Sequence, residues 1–225
     1  MILLKKLLEK FSWVIEKERL KNTKFIIISN NCWSYEIYKI LNRKYNTPFG
    51  GLFIFSACYI ELLTNLDVYI RSPIKFVRHS RYIDDKEISY PLGILMDRIE
   101  IHFLHYKTEQ EAAVKWQTRV SRMCRDIDDC VPIYIKIDDR DGLDNSHIEK
   151  FMLLPFANKI SFGIDKQNHI NHLAIKNLQD PLGNFVVNGD DLFRKRNDYF
   201  DISLWLKSGI ARKTLISNIF SGRIF

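Results

Sequence analysis

Short runs of branched apolar residues alternate along this chain with longer stretches whose apolar positions recur three and four residues apart. "KFIIIS" (24–29) reads as a buried strand. Trp33, Ile37, Tyr38 and Leu41 then follow at helical spacing and predict a helix over about 33–44. "YNTPFGGLFIF" reads as a turn and a short strand, and "ACYIELLTNLDVYI" places Tyr59, Leu62, Leu63, Leu66 and Ile70 on one helical face. Strands are expected at 74–78 and 99–104. In "TEQE", Thr108 and Glu111 form a capping-box pattern that opens a helix to about Cys124, with Ala112, Ala113, Trp116, Val120 and Met123 inward. Strand "PIYIKI" (132–137), loop "DDRDGLDN", helix "SHIEKFMLL", strand "NKISFG" and an aromatic-rich helix in "YFDISLWLK" complete the pattern. Strands alternating with helices predict a three-layer α/β fold, a mostly parallel sheet with helices on both faces.

Ahead of this domain (23–210) the pattern predicts an amphipathic helix within residues 1–22, and behind it a basic tail, 211–225. Leu3, Leu4, Leu7, Leu8, Phe11, Val14 and Ile15 recur at helical spacing opposite Lys5, Lys6, Glu9 and Lys10. Such a helix either packs on its own domain or makes peripheral membrane contact.

Composition narrows the class. Apolar content of 46% and charged content of 27% exclude a disordered chain. The net charge of +7 is moderate and comes with no recognition motif, so no nucleic-acid partner is expected. The four cysteines (Cys32, Cys58, Cys124, Cys130) form no C-x-x-C pair, which suggests reduced thiols in a cytoplasmic protein. Lys5, Lys6 and Glu9 interrupt the first apolar run, unlike a signal peptide, and no apolar stretch approaches the roughly 20 residues of a membrane span. Cytoplasmic residence, with membrane attachment through the first helix as an option, is the expectation. Glycine-rich nucleotide loops are absent, which disfavours NAD and ATP, and no H-E-x-x-H or thiolate cluster suggests zinc.

In parallel sheets, ligands bind beyond the carboxyl ends of the strands. Four clusters fall at such places or beside them. Ser29, Asn30, Asn31, Cys32 and Trp33 sit at a strand-to-helix turn. There Ser29 or Cys32 is a candidate nucleophile, a helix start can lower the Cys32 pKa, and Asn30 or Asn31 can stabilise an oxyanion. Equally, Asn31 or Ser34 can be a helix cap and Cys32 a small buried hydrophobe. His102 and His105 lie on opposite faces of a regular strand, which argues against a shared metal site. His105, nearer the carboxyl end, is the better-placed general base, against a purely structural role. Lys115, Arg119 and Arg122 form a helical stripe that suits phosphates or a solvated face. Asp138, Asp139, Arg140 and Asp141 follow a buried strand and suit sugar hydroxyls, a metal–diphosphate or a plain polar turn. Residues 29–33, the end of strand 99–105 and loop 138–142 are therefore expected to converge on one concave site.

"FIIISNNCWSYEIYKILNRKYNTPFGGLFI", "YPLGILMDRIEIHFLHYKTEQEAAVKWQTRVSRM", "DDRDGLDNSHIEKFMLLPFANKISF" and "YFDISLWL" together resemble the bacterial family labelled domain of unknown function 1919, over about residues 24–206. Its members are commonly named exopolysaccharide biosynthesis proteins and sometimes acetyltransferases. Ser34 departs from the small residue expected after the tryptophan, and "RSPIKFVRHSRYIDDKE" matches nothing quoted for the family. The resemblance implies a pathway and an α/β fold. The reading it supports is a transferase of surface or capsular polysaccharide synthesis acting on a saccharide or saccharide-lipid, with O-acyl transfer as the reaction. In it His105 or His102 would act as base, Ser29 or Cys32 would be a nucleophile, and Lys115, Arg119 and Arg122 would hold the phosphates of acetyl-CoA. The alternatives are a glycosyl- or phosphotransferase using a metal–diphosphate donor, and a non-catalytic capsule-assembly partner.

Overall fold

Four strands pair in parallel, the inner ones apolar and buried on both faces and successive strands joined by crossovers. They are β1 (Ile26–Ser29), β5 (Ile133–Asp138), β6 (Asn158–Gly163) and β7 (His172–Ala174), in the order β1-β5-β6-β7. The computed structural model describes residues 2–84 and 88–221. Side chains at positions 2–6 and 9 lie outside the described residues, so Leu3, Leu4, Lys5, Lys6 and Glu9 of the expected amphipathic pattern lie there too.

The period of two along the strands divides the core. Ile26, Ile28, Ile135 and Ile137 face one layer, formed with α3 (Ser56–Thr64), α4 (Leu66–Arg71), α5 (Glu109–Asp128) and α6 (Asn145–Leu153). Ile27, Tyr134, Ile160 and Phe162 face the other, formed with α2 (Tyr35–Ile40), α7 (Gly189–Arg194) and α8 (Ile202–Ser208). The expected α/β architecture, mostly parallel with helices on both faces, is therefore what the chain adopts.

A second, antiparallel sheet was not expected. It contains β2 (Ile74–Val77), β3 (Leu92–Leu95) and β4 (Ile99–His102). Its β3–β4 turn places Met96 at φ 50° and Asp97 at φ 57°, closed by the Arg98 N–H on the Leu95 carbonyl at 3.0 Å. Both central residues at positive φ are the signature of a type I′ hairpin, which usually announces itself with Asn-Gly or Asp-Gly. Neither is present here. Residues 51–54 join the two sheets: Phe53 exchanges both backbone hydrogen bonds with His102 at 3.0 Å, and the Ile54 N–H reaches the Asn30 carbonyl at 2.8 Å.

Two helical expectations change in detail. The single helix over 57–70 breaks at Asn65 (φ −132°, ψ 50°) into α3 and α4. Thr108 caps α5 by accepting from the Glu111 N–H at 3.1 Å, but Glu111 reaches back to Lys107, not to Thr108. At the ends of the chain, α1 (Ile2–Leu20) packs against α8 and against α9 (Leu215–Phe220), the helix formed within the stretch expected as a tail. Among the described residues, no helix is long and apolar enough to cross a membrane.

Replacing Met96 and Asp97 with Asn-Gly should relieve the left-handed backbone strain and raise stability by about 0.5–1 kcal/mol in urea unfolding. An unchanged or lower midpoint would show that the turn is not strained.

Candidate functional site

The turn after β1 is held by a buried charge network. Asn31 caps the short 3-10 turn Cys32–Ser34 by accepting from the Trp33 N–H at 3.3 Å. Its amide donates to Asp138 at 2.8 Å, and the Lys136 ammonium contacts Asn31 Oδ1 at 3.1 Å and Asn30 Oδ1 at 3.3 Å while pairing with Asp138. Lys136 and Asp138 are both fully buried. Burial by itself would raise the Asp138 pKa, but Lys136 and the two asparagine amides hold it below the usual carboxylate value. Burial depresses Lys136, with Asp138 opposing it.

Above this network lies a cavity of about 280 Å³ lined by Asn31, Cys32, Phe53, Leu104, His105, Arg140, Asp141, Asn188, Gly189 and Asp190. Residues from the first turn, the segment after β4 and the loop after β5 thus meet at the carboxyl edge of the parallel sheet, where the sequence placed their convergence. Burial and then the neighbouring Asp138 charge raise Asp141 to about 7. Arg140 is fixed by a hydrogen bond to the Val186 carbonyl at 2.9 Å.

His105 also lines a second cavity of about 280 Å³, with Tyr35, Tyr45, Gly50, Gly51, Tyr106, Lys115 and Arg119. Its ring stacks loosely on Tyr35, which stacks on Tyr45. Arg119 is held in place by the Gly50 carbonyl at 2.9 Å and the Tyr106 hydroxyl at 2.7 Å. The Lys115 ammonium pairs with Glu111 at 2.5 Å.

Several expected site residues belong elsewhere. Ser29 is fully buried, its hydroxyl accepts from the Asn31 N–H at 3.4 Å, and it lines neither cavity. Cys32 reaches the cavity wall, but burial, with Asp190 and Asp141 nearby, pushes its thiol up to about 12, the reverse of the expected thiolate. The short 3-10 turn cannot offset that desolvation. Asn30 and Asn31 use their side chains on Lys136 and Asp138, and an oxyanion would have to compete with that network. Trp33 is core: it packs edge-on against Phe193 and Trp205, and its indole N–H donates to the Tyr199 hydroxyl at 3.2 Å.

His102 is likewise buried, stacked on Phe53 and within hydrogen-bond distance of the Tyr90 hydroxyl at 3.2 Å. Burial holds its pKa down to about 4 against the pull of Glu100, and it is no base for the cavity. Both Asp139 carboxylate oxygens accept backbone N–H groups, from Val186 and Ile164 at 2.8 Å, which tie β5 to its neighbours. Arg122 donates to the Tyr45 carbonyl at 3.0 Å and lines neither cavity.

The sequence reading missed Lys136, Phe53, Leu104 and the "NGDD" segment. Asn188 caps α7 through the Asp191 N–H at 3.0 Å, and an oxygen of Asp190 is buried without a hydrogen-bond partner. Gly189 is required here: a Cβ would lie 2.7 Å from Asn31 Oδ1 and from the Trp33 nitrogen. An Asn-Gly pair ahead of two aspartates was the available signal, but nothing local says which turn it meets.

Compared with known proteins, residues 3–207 match the family model described as "Domain of unknown function (DUF1919)". A protein of Haemophilus influenzae described as an uncharacterized protein is 34% identical over 189 residues, covering 84% of this chain and 80% of that one.

Two measurements probe this electrostatic picture. The raised Asp141 pKa means that the folded state binds its proton more tightly than the unfolded state, so stability falls as pH rises from about 4 to about 7. Asp141→Asn should therefore gain in Tm over the parent at pH 8 and lose that gain near pH 4, by roughly 2–4 °C for each kcal/mol relieved. A pH-independent difference would contradict the buried, protonated carboxyl. In iodoacetamide labelling followed by mass spectrometry, exposed Cys130 should be modified well before Cys32. Faster modification of Cys32 would restore the nucleophile.

Proposed function

This chain belongs to the DUF1919 family, and on that premise we propose that it is a transferase that modifies a hydroxyl of a saccharide or saccharide-lipid during surface-polysaccharide assembly. The observation that carries this reading is the pair of cavities sharing His105, one with carboxylates and amides set beside Phe53 and Leu104, the other aromatic and basic. Carboxylates and amides around Asp141, Asp190, Asn188 and Arg140 suit an acceptor rich in hydroxyls. Tyrosine rings beside Lys115 and Arg119 suit a donor that carries phosphates, such as acetyl-CoA. Two binding cavities meeting at one titratable side chain are what a direct transfer between two substrates requires.

Acyl transfer then runs without a covalent enzyme intermediate, since neither Ser29 nor Cys32 is equipped as a nucleophile. The acceptor oxygen attacks the donor's acyl carbonyl, forming the C–O bond. The C–S bond breaks, and the hydroxyl proton passes through His105 or Asp141 to the departing thiolate. His105 sits at the junction, and Asp141, raised to about 7, is poised to exchange protons near neutrality. A metal–diphosphate donor is less well served, because Asp138 is paired with Lys136 and both Asp139 oxygens are taken by backbone N–H groups.

Saturating acetyl-CoA should stabilise the protein by about 2.7 kcal/mol at roughly 100 times its Kd. Lys115→Gln, which removes a half-exposed ion pair with Glu111 and a cation–π contact with the Tyr106 ring, should weaken that shift with little effect on the unliganded Tm. His105→Ala should keep donor binding and lose transfer. Stabilisation by a nucleotide sugar in place of acetyl-CoA would reassign the reaction to glycosyl transfer. Stabilisation by neither would favour the non-catalytic partner.

A further inference from the structure

Helix α1 presents to solvent the side chains that its pattern suits to a core. Phe11 is 58% exposed and Val14 65%, with Leu7 and Ile15 exposed beside them, whereas Ser12 and Glu16 are 0% and 3% exposed. Charge pairing sets this orientation. Arg196, fully buried, pairs with Glu16 through two nitrogens, one at 2.9 Å, and Arg19 grips Asp201 through two bonds of 3.0 and 2.8 Å. Leu20 enters the core on the same side. Turning α1 to bury its apolar stripe would pull Glu16 off Arg196 and leave a buried charge unpaired, which is strongly unfavourable. The stripe is therefore held outward; α9, packed against α1, also leaves Leu215 and Ile216 exposed.

The flank of the stripe is basic. Lys10 and Lys17 are exposed and fall within about 60° of Val14 around the helix axis, and Lys21 is exposed just past the helix's last residue. Glu18, on that side too, is already paired with Lys21 at 3.8 Å. An apolar stripe bordered by lysines, on a chain of net charge +7, complements an anionic lipid surface. A second copy of the chain fits less well, because pairing like with like brings each copy's lysines to the rim already holding its partner's. We infer that α1 is an interfacial anchor, lying in the plane of an anionic bilayer with Leu7, Phe11 and Val14 inserted and the lysines at the headgroups. This holds whatever reaction the cavities support.

The test uses the full chain and vesicles of phosphatidylglycerol with phosphatidylethanolamine, against phosphatidylcholine alone. The protein should float with the anionic vesicles at low salt and be released at high salt. Phe11→Ser with Val14→Ser, both at exposed positions, should keep the parent's circular dichroism and Tm while lowering partition at least about tenfold. Lys10→Gln with Lys17→Gln should lower binding to anionic vesicles about tenfold or more. Failure to float at low salt, or equal flotation of the serine variant, would overturn the assignment. A dimer in sedimentation that the serine variant dissolves, without vesicle binding, would overturn it as well and give the face to a second copy.

Discussion

The buried Lys136–Asp138 pair is the constraint on which the carboxyl edge of the sheet depends. Two charges taken fully out of water are tolerable only when paired and hydrogen-bonded, and here Asn30 and Asn31 supply the remaining bonds. The same bonds fix the turn after β1 against the end of β5. That places Cys32 and Asn31 at the cavity wall, and it brings the Asp138 charge close enough to raise Asp141. Gly189 then closes over the turn at a distance no other residue allows. One ion pair thus fixes the turn that walls the cavity, and its Asp138 charge adds to the burial that raises Asp141.

The two sheets divide the histidines between structure and chemistry. Phe53 pairs with His102 through the backbone and stacks on its ring, so His102 is sealed into the joint between the sheets. Three residues later the chain has left the strand, and His105 emerges between the two cavities. The aromatic and basic walls of the second cavity are held in the same economical way: Arg119, which faces the ligand space, spends a donor on the Gly50 carbonyl, and Arg122, outside the cavity, spends one on the Tyr45 carbonyl, so the two together pin the loop that shapes it.

Buried ion pairs recur here as devices of orientation. Lys136–Asp138 aims a turn, and Glu16–Arg196 aims a helix. Neither is an efficient source of stability, since desolvation offsets much of the attraction, but each makes the alternative arrangement costly. In α1 the result runs against the usual amphipathic rule: polar residues face inward and the apolar stripe faces out.

Local periodicity determined the strands β1, β5 and β6 and the layered α/β architecture, because burial on a face repeats with the geometry of the element, and the T-x-x-E motif gave the cap at Thr108. It also placed Asn31, Cys32, His105 and the 139–141 loop near one edge, since strand ends in a parallel sheet share a side. Tertiary structure decided the rest. In "PIYIKI", Lys136 reads as an ordinary polar position, and only the approach of Asn30, Asn31 and Asp138 makes it a buried cation. Asp190 comes from more than a hundred residues away, and no local pattern links it to Cys32. The turn at Met96 and Asp97 lacks the glycine that would have marked it. Proton affinities and the outward face of α1 depend on charges brought together in space, and a one-dimensional pattern carries no distance between them.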